Sequence, residues 1–167
     1  MLHSFLYCFI LIQLFFVSLV DIRHRKISNQ WIYLNIVLFL GFLFIFPQEY
    51  SLTTAKLLYS FAFIVVGFIL FLMNLMGAGD SKYLFSIFLL IPPQWSDYVL
   101  YSLFLCTMTI GGFSLLITIV KNFEKLIIFA RLGHRQGIRE CLGSKFPFAP
   151  VILMSWLLFG AHLYLLR

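Results

Sequence analysis

Charge is scarce in this chain. Only 11% of its 167 residues are Asp, Glu, Lys or Arg, and just six are acidic, whereas a soluble domain carries about 25% charged residues. Cysteine is equally sparse: Cys8, Cys106 and Cys141 stand far apart and form no CxxC pair, which excludes a disulfide framework and a zinc ribbon. Cys8 and Cys106 sit inside apolar runs and read as small core residues. His3, His24, His134 and His162 are scattered, with no HExxH spacing, so a zinc protease is excluded too. Ser18 and Ser81 have no His or Lys convincingly placed as their base, which argues against nucleophilic catalysis by serine. The first apolar stretch lacks a basic n-region and a small-residue cleavage site, so a retained helix is expected there rather than a signal peptide.

What fills the chain instead is hydrocarbon. Hydrophobic residues make up 62% of it, too many for one water-facing core, and they fall in runs whose length points to lipid as the solvent. Leu2–Val20, Trp31–Pro47, Ala55–Met76, Tyr98–Val120 and Phe146–Leu166 each approach the roughly 20 residues a spanning helix needs. Tyr83–Pro93 is shorter, and counting from Gly79 makes it a broken or tilted crossing. The expectation is an all-α polytopic membrane protein with about six transmembrane helices, forming a single membrane-embedded domain over residues 1–167.

Basic residues orient these spans. Ten of the twelve Lys and Arg lie in three gaps, 21–30, 77–82 and 121–145, while the gaps at 48–54 and 94–97 have none. Lys56 and Arg167 are left near the opposite face. Six crossings put all three basic gaps on one side, the cytoplasmic one, with the N- and C-termini outside. The net charge of +6 is thereby a topology signal, not a nucleic-acid surface. The first part of 121–145 places Phe123, Leu126, Ile127 and Ala130 on one side and Glu124, Lys125, Arg131 and Arg135 on the other. This reads as a cytoplasmic interfacial amphipathic helix on membrane lipids, broken at Gly133 or Gly137.

Two acids stand out against this background. Asp21 ends the first span and Asp80 follows the third, so the topology puts both at one membrane face. A carboxyl at the edge of hydrocarbon usually faces a bundle interior or a wet cavity. Two carboxyls sharing a site do not easily both ionise, and such a pair holds a single proton. One then takes a proton from water while the other polarises a peptide carbonyl, which is aspartic hydrolysis. The plainer alternative is a helix cap or an ion pair with Arg23, Arg25 or Lys82. Gly77 and Gly79, in Gly77-Ala78-Gly79-Asp80-Ser81-Lys82, permit non-helical backbone and close approach of an extended peptide. They equally serve close helix packing. Asn29 is placed to cap the helix that begins near Gln30. Lys82, Arg23, Arg25 and Lys26 read as topology determinants whose ammonium or guanidinium groups reach lipid phosphate.

The segment 77–82 matches in full the GxGDxK motif of the prepilin peptidases, membrane aspartic proteases of the GxGD class. Asp21-Ile22-Arg23-His24-Arg25-Lys26-Ile27-Ser28-Asn29 resembles that family's first motif, with Ser28 standing where the family has proline. Lys145-Phe146-Pro147-Phe148-Ala149-Pro150 resembles its proline-containing entry to the last helix. The resemblance implies Asp21 and Asp80 as the catalytic pair, with Gly77, Gly79, Lys82 and Asn29 shaping the site or binding substrate. It implies removal of a short basic leader from type IV prepilin or pseudopilin precursors at the cytoplasmic face of a bacterial inner membrane, with no metal or organic cofactor. The ten-residue gap 21–30 lacks the CxxC-bearing insertion of bifunctional members, so the chain is similar to the short form found with tight-adherence pilus systems, and methyl transfer lacks support. Two other classes share the composition: a non-catalytic component of a pilus or secretion machine, and a small proton-coupled transporter. Carriers place their acids near the midplane, not at one face.

Overall fold

The computed structural model describes residues 2–25, 27–48, 50, 54–72, 76–131, 137 and 148–165. Lys26, Met73, most of the last basic gap (with Gly133, His134, Cys141 and Lys145) and Arg167 lie outside them. Every regular element among the described residues is helical. The helices are α1 (Leu2–His24), α2 (Asn29–Ile45), α3 (Thr54–Leu72), α4 (Ala78–Leu90), α5 (Pro93–Cys106), α6 (Gly112–Lys121), α7 (Phe123–Arg131) and α8 (Ala149–Leu165). A π-helical turn, Thr107–Gly111, joins α5 to α6. The run Ser4–His24 and the continuous run Pro93–Lys121 are each long and apolar enough to cross a membrane, and α2, α3 and α8 contain shorter apolar helices.

Local chemistry sets the boundaries. Ser28, in extended conformation, caps α2 by accepting the Gln30 N–H at 3.3 Å. Asn29, the expected cap, is instead the first helical residue, because the serine hydroxyl one position earlier already reaches that donor. Pro93 was expected to end the fourth span; it begins α5, where its missing N–H costs nothing. The gap expected at 94–97 is therefore α5's first turn, and only Ile91 and Pro92 separate α4 from α5. In the π turn the hydroxyls of Thr107 and Thr109 donate back to the carbonyls of Leu103 and Leu105, at 2.7 and 2.8 Å, a competition with the helix ladder that loosens the winding. Helix α7 follows at Asn122, with Phe123, Ile127 and Ile128 exposed beside the charged Glu124 and Lys125.

Packing pairs α3 and α2 with α4, and α1 and α5 with α8. Helix α4 is the centre: nine of its thirteen residues are buried. An apolar helix this short is a core element rather than a lipid-facing one, which is why it looked too brief for a crossing. On α1 the buried stripe is Leu6, Ile10, Leu14 and Val17, at helical spacing. Tyr7 stacks on Trp156 of α8 with centroids 5.4 Å apart, and Trp95 of α5 meets Phe159 at 5.3 Å. The outer surface is apolar, with Phe15, Val37, Phe44, Phe61, Phe113 and Leu158 all exposed. An apolar exterior of this extent belongs in lipid, and the chain is a membrane protein.

Inside this shell runs a polar chain. Gln13 of α1 donates from Nε2 to Oδ1 of Asn35 on α2 at 2.8 Å. Asn35 donates from Nδ2 to Ser86 Oγ on α4 at 3.1 Å, and Ser86 donates to the Tyr83 carbonyl at 2.8 Å. All three side chains are buried. Asn35→Ala removes the middle link and strands two polar groups, so purified protein in detergent should lose about 0.5–2 kcal/mol of stability. A thermal melt within a degree of wild type would show that the chain contributes nothing. A second contact sets the spacing of α3 from α4: a Cβ on Gly67 would overlap Ser81 Oγ and Cβ. Gly67→Ala should therefore lower the melting temperature, and adding Ser81→Gly should recover most of the loss.

Candidate active site

Asp21 closes α1 in its final turn, and Asp80 sits in the first turn of α4. Both are buried, at 4% and 7% exposure, although both lie at helix ends where solvent access is usual. The packing partners explain this. Helix α8 runs antiparallel to α1, so that Trp156 meets Tyr7 near one end while Ala149 meets Asp21 near the other. The Ala149 N–H donates to Asp21 Oδ2 at 3.2 Å, and the Phe148 N–H also hydrogen-bonds this carboxyl. These are unpaired donors of a helix N-terminus, where negative charge is favoured. Asp80 folds back on its own helix start, its Oδ2 accepting the Gly77 N–H at 3.0 Å.

The two acids lie at the same end of the bundle, and the charge of Asp21 acts on Asp80. Arg25, just past α1, acts on Asp21 in the opposite sense. Arg25 has a left-handed backbone, φ 50°, uncommon for a residue with a side chain. It reverses the chain and lays Ile27 against the start of α4.

The glycines of 77–80 have different reasons. Gly77 has φ −76° and ψ 145°, a conformation open to any residue, and Gly79 is helical. The non-helical backbone expected of both is found at Gly77 alone, in a conformation that does not itself require glycine. A Cβ on Gly77 would stand 2.9 Å from Asp80 Oδ2, so the absent side chain makes room for the carboxyl. A Cβ on Gly79 would meet Ile27 at 3.6 Å, an ordinary contact.

The structure brings Gly77, Gly79 and Asp80 together at the start of α4, with Asp21 near enough for its charge to act on Asp80. It leaves Asn29 exposed at the start of α2. Lys82 is exposed too, and two residues along a helix turn it about 200° away from Asp80. Three participants escaped sequence reasoning: Gly67, which seats α3 against Ser81; Ile27, which covers Gly79; and the Phe148 and Ala149 amides. Only the last had a signal, in Pro147-Phe148-Ala149-Pro150, because a proline within the first turn marks a helix start with free N–H groups. Among the described residues no three His, Cys, Asp or Glu side chains gather as metal ligands would.

Residues 8–120 match the model of the type IV leader peptidase family, a segment that includes both acids. The chain belongs to the type IV leader peptidase family. No curated protein and no solved structure matches it. Membership makes the bundle end with Asp21 and Asp80 the candidate for peptide-bond cleavage by a leader peptidase. For this member, Gly77→Ala should displace the Asp80 carboxyl and cut leader-peptide cleavage at least tenfold. Gly79→Ala should melt like wild type, so a loss of activity there reports crowding of the substrate. Equal melting and equal cleavage for both variants and wild type would show that the glycines do not shape the site.

Proposed function

We propose that the chain is an aspartic endopeptidase that removes the basic leader from type IV pilin-like precursors, with Asp21 and Asp80 as its catalytic pair. The observation that carries this reading is that α1 and α4 each bury a carboxyl at the same end of the bundle, with the charge of Asp21 acting on Asp80. Asp21, with two backbone donors and Arg25 nearby, is the ionised member that takes a proton from the attacking water. Asp80, with one donor, keeps its proton and polarises the scissile carbonyl. Attack gives a tetrahedral diol whose new hydroxyl carries the Asp80 proton; on its collapse Asp21 passes the water's proton to the leaving amine while Asp80 takes a proton back from a diol hydroxyl.

Six crossings, with both termini outside, accord with the helix ends. Asp21, Gly77 and Ala149 share one end of the bundle, as do the basic residues Arg25 and Lys82 that flank the acids in sequence. The positive-inside rule makes that end cytoplasmic, in a bacterial inner membrane. There a leader rich in Lys and Arg remains in water while the apolar part of the precursor stays in lipid. Exposed Ile127 and Ile128 on α7 suit a helix lying on the same leaflet.

One observation favours a rival. Each acid binds a backbone N–H at a helix start, as a purely structural cap would. Replacement by Asn separates the two roles, because an amide oxygen still accepts an N–H but cannot relay a proton. Asp21→Asn and Asp80→Asn should each accumulate in membranes and melt within a few degrees of wild type. Cleavage of a co-expressed pilin precursor should fall by a factor of about 100–10,000, as expected on losing a general acid or base. Continued processing by either variant would rule out the pair; disappearance of both proteins would favour the cap.

A further inference from the structure

Helix α3 packs on α4 and α5 packs on α8, and a groove of about 650 Å³ remains between α3 and α5. Its walls are almost wholly apolar. Ala62, Val66 and Gly67 of α3 face Leu100, Phe104 and Thr107 of the other wall. Val66 and Phe104 are more than half exposed, so the groove opens sideways, toward lipid. Its far end is closed by one polar contact, Tyr59 Oη donating to Asp97 Oδ1 at 2.7 Å.

The near end is what gives the groove meaning. It is lined there by Met76 and Phe148. Met76 immediately precedes Gly77, whose N–H holds Asp80, and Phe148 immediately precedes Ala149, whose N–H holds Asp21. The near end of the groove therefore lies one residue along the chain from each amide that holds a carboxyl. From Tyr59 to Gly67, the last α3 residue on its wall, a rise of 1.5 Å per residue gives about 12 Å, or about eight residues of a second helix. On one wall Ala62 is small and exposed, and a small residue lets another helix approach closely in lipid.

We propose that this groove seats the apolar helical segment of the precursor that follows the cleavage junction. The inference rests on the endopeptidase reading and names where that substrate binds. The segment enters sideways between α3 and α5 and lies along α3. Its cytoplasmic end, unwound at the junction, comes to rest beside Asp21 and Asp80. Cleavage position is then measured from the Tyr59–Asp97 end of the groove, and the apolar segment supplies the affinity.

The test uses full-length protein with Cys8, Cys106 and Cys141 replaced by Ser and with Asp80→Asn to hold the precursor uncut. Single cysteines are introduced as Val66→Cys or Tyr101→Cys in the groove, and as Phe16→Cys on the outward face of α1. Oxidation against a precursor carrying one cysteine in its apolar segment should crosslink Val66→Cys and Tyr101→Cys, at precursor positions three or four apart. Phe16→Cys should crosslink at least tenfold less. Equal crosslinking from Phe16→Cys, or none from the groove, overturns the proposal. So does labelling of the groove by a photoactivatable phospholipid that excess precursor leaves undiminished, since a lipid is then the occupant. In a second measurement Ala62→Phe fills the groove in the otherwise wild-type protein. Processing of the full precursor should drop at least tenfold in kcat/KM, while a soluble peptide spanning only the junction is cut at the wild-type rate. Unchanged processing of the precursor counts against the groove. Groove crosslinks in an Asp80→Asn protein that still cuts the precursor would uphold the docking and reject the catalytic pair.

Discussion

The buried chain of hydrogen bonds from Gln13 through Asn35 to Ser86 fixes everything that follows. Apolar helices in lipid have little reason to prefer one register over another, because hydrocarbon solvates a leucine as well as a neighbouring helix does. An amide in the same surroundings has one acceptable arrangement. Gln13 lies eight residues before Asp21, about 12 Å along α1, and Ser86 lies six residues after Asp80, about 9 Å along α4. Linking the two through Asn35 sets both acids at nearly the same depth. The aromatic contact of Tyr7 with Trp156 does the corresponding work for α1 and α8, and brings the Ala149 amide to Asp21.

This arrangement makes the helix ends, rather than side chains, the chief partners of the acids. Backbone N–H groups at a helix start carry no net charge and cannot titrate, so they hold a carboxyl without neutralising it. A lysine or arginine in contact would fix the proton count of the pair. Keeping Lys82 on the far side of α4 leaves Asp80 free of such a contact. Arg25 acts on Asp21 from the exposed turn beyond α1, where solvent screens it.

Much of this was legible beforehand. Five long apolar runs and one short one gave the helices of the bundle, two isolated acids at run ends gave the candidate pair, and the glycines of the Gly77–Lys82 segment marked a non-helical stretch that Gly77 provides. The unread parts depend on distance along the chain. Nothing near Gly67 announces that Ser81 will lie against it, and nothing near Asp21 announces an amide from residue 149. Boundaries slipped where two cues competed. Ser28 and Asn29 are both good caps, and only the extended backbone at Ser28 decides between them. Pro93 reads as a stop when approached from α4 and as a start when approached from α5. The reason for the glycines was also hidden. Their φ values are ordinary, and the need for a bare Cα at 77 arises from a carboxyl that folds back three residues later.

The outward belt of Phe15, Val37, Phe44, Phe61 and Leu158 has a different kind of consequence. Each of these side chains turns half or more of its surface outward to acyl chains, and exchanging one bulky hydrocarbon for another there changes the solvation little. Over generations such positions are free to wander, while Gln13, Asn35, Gly67, Ser86 and Trp156 are each tied to a particular neighbour. Two descendants of one ancestor can then differ at most of their surface and still share the same interior, so kinship in a bundle of this sort is better judged by a handful of inward contacts than by overall identity.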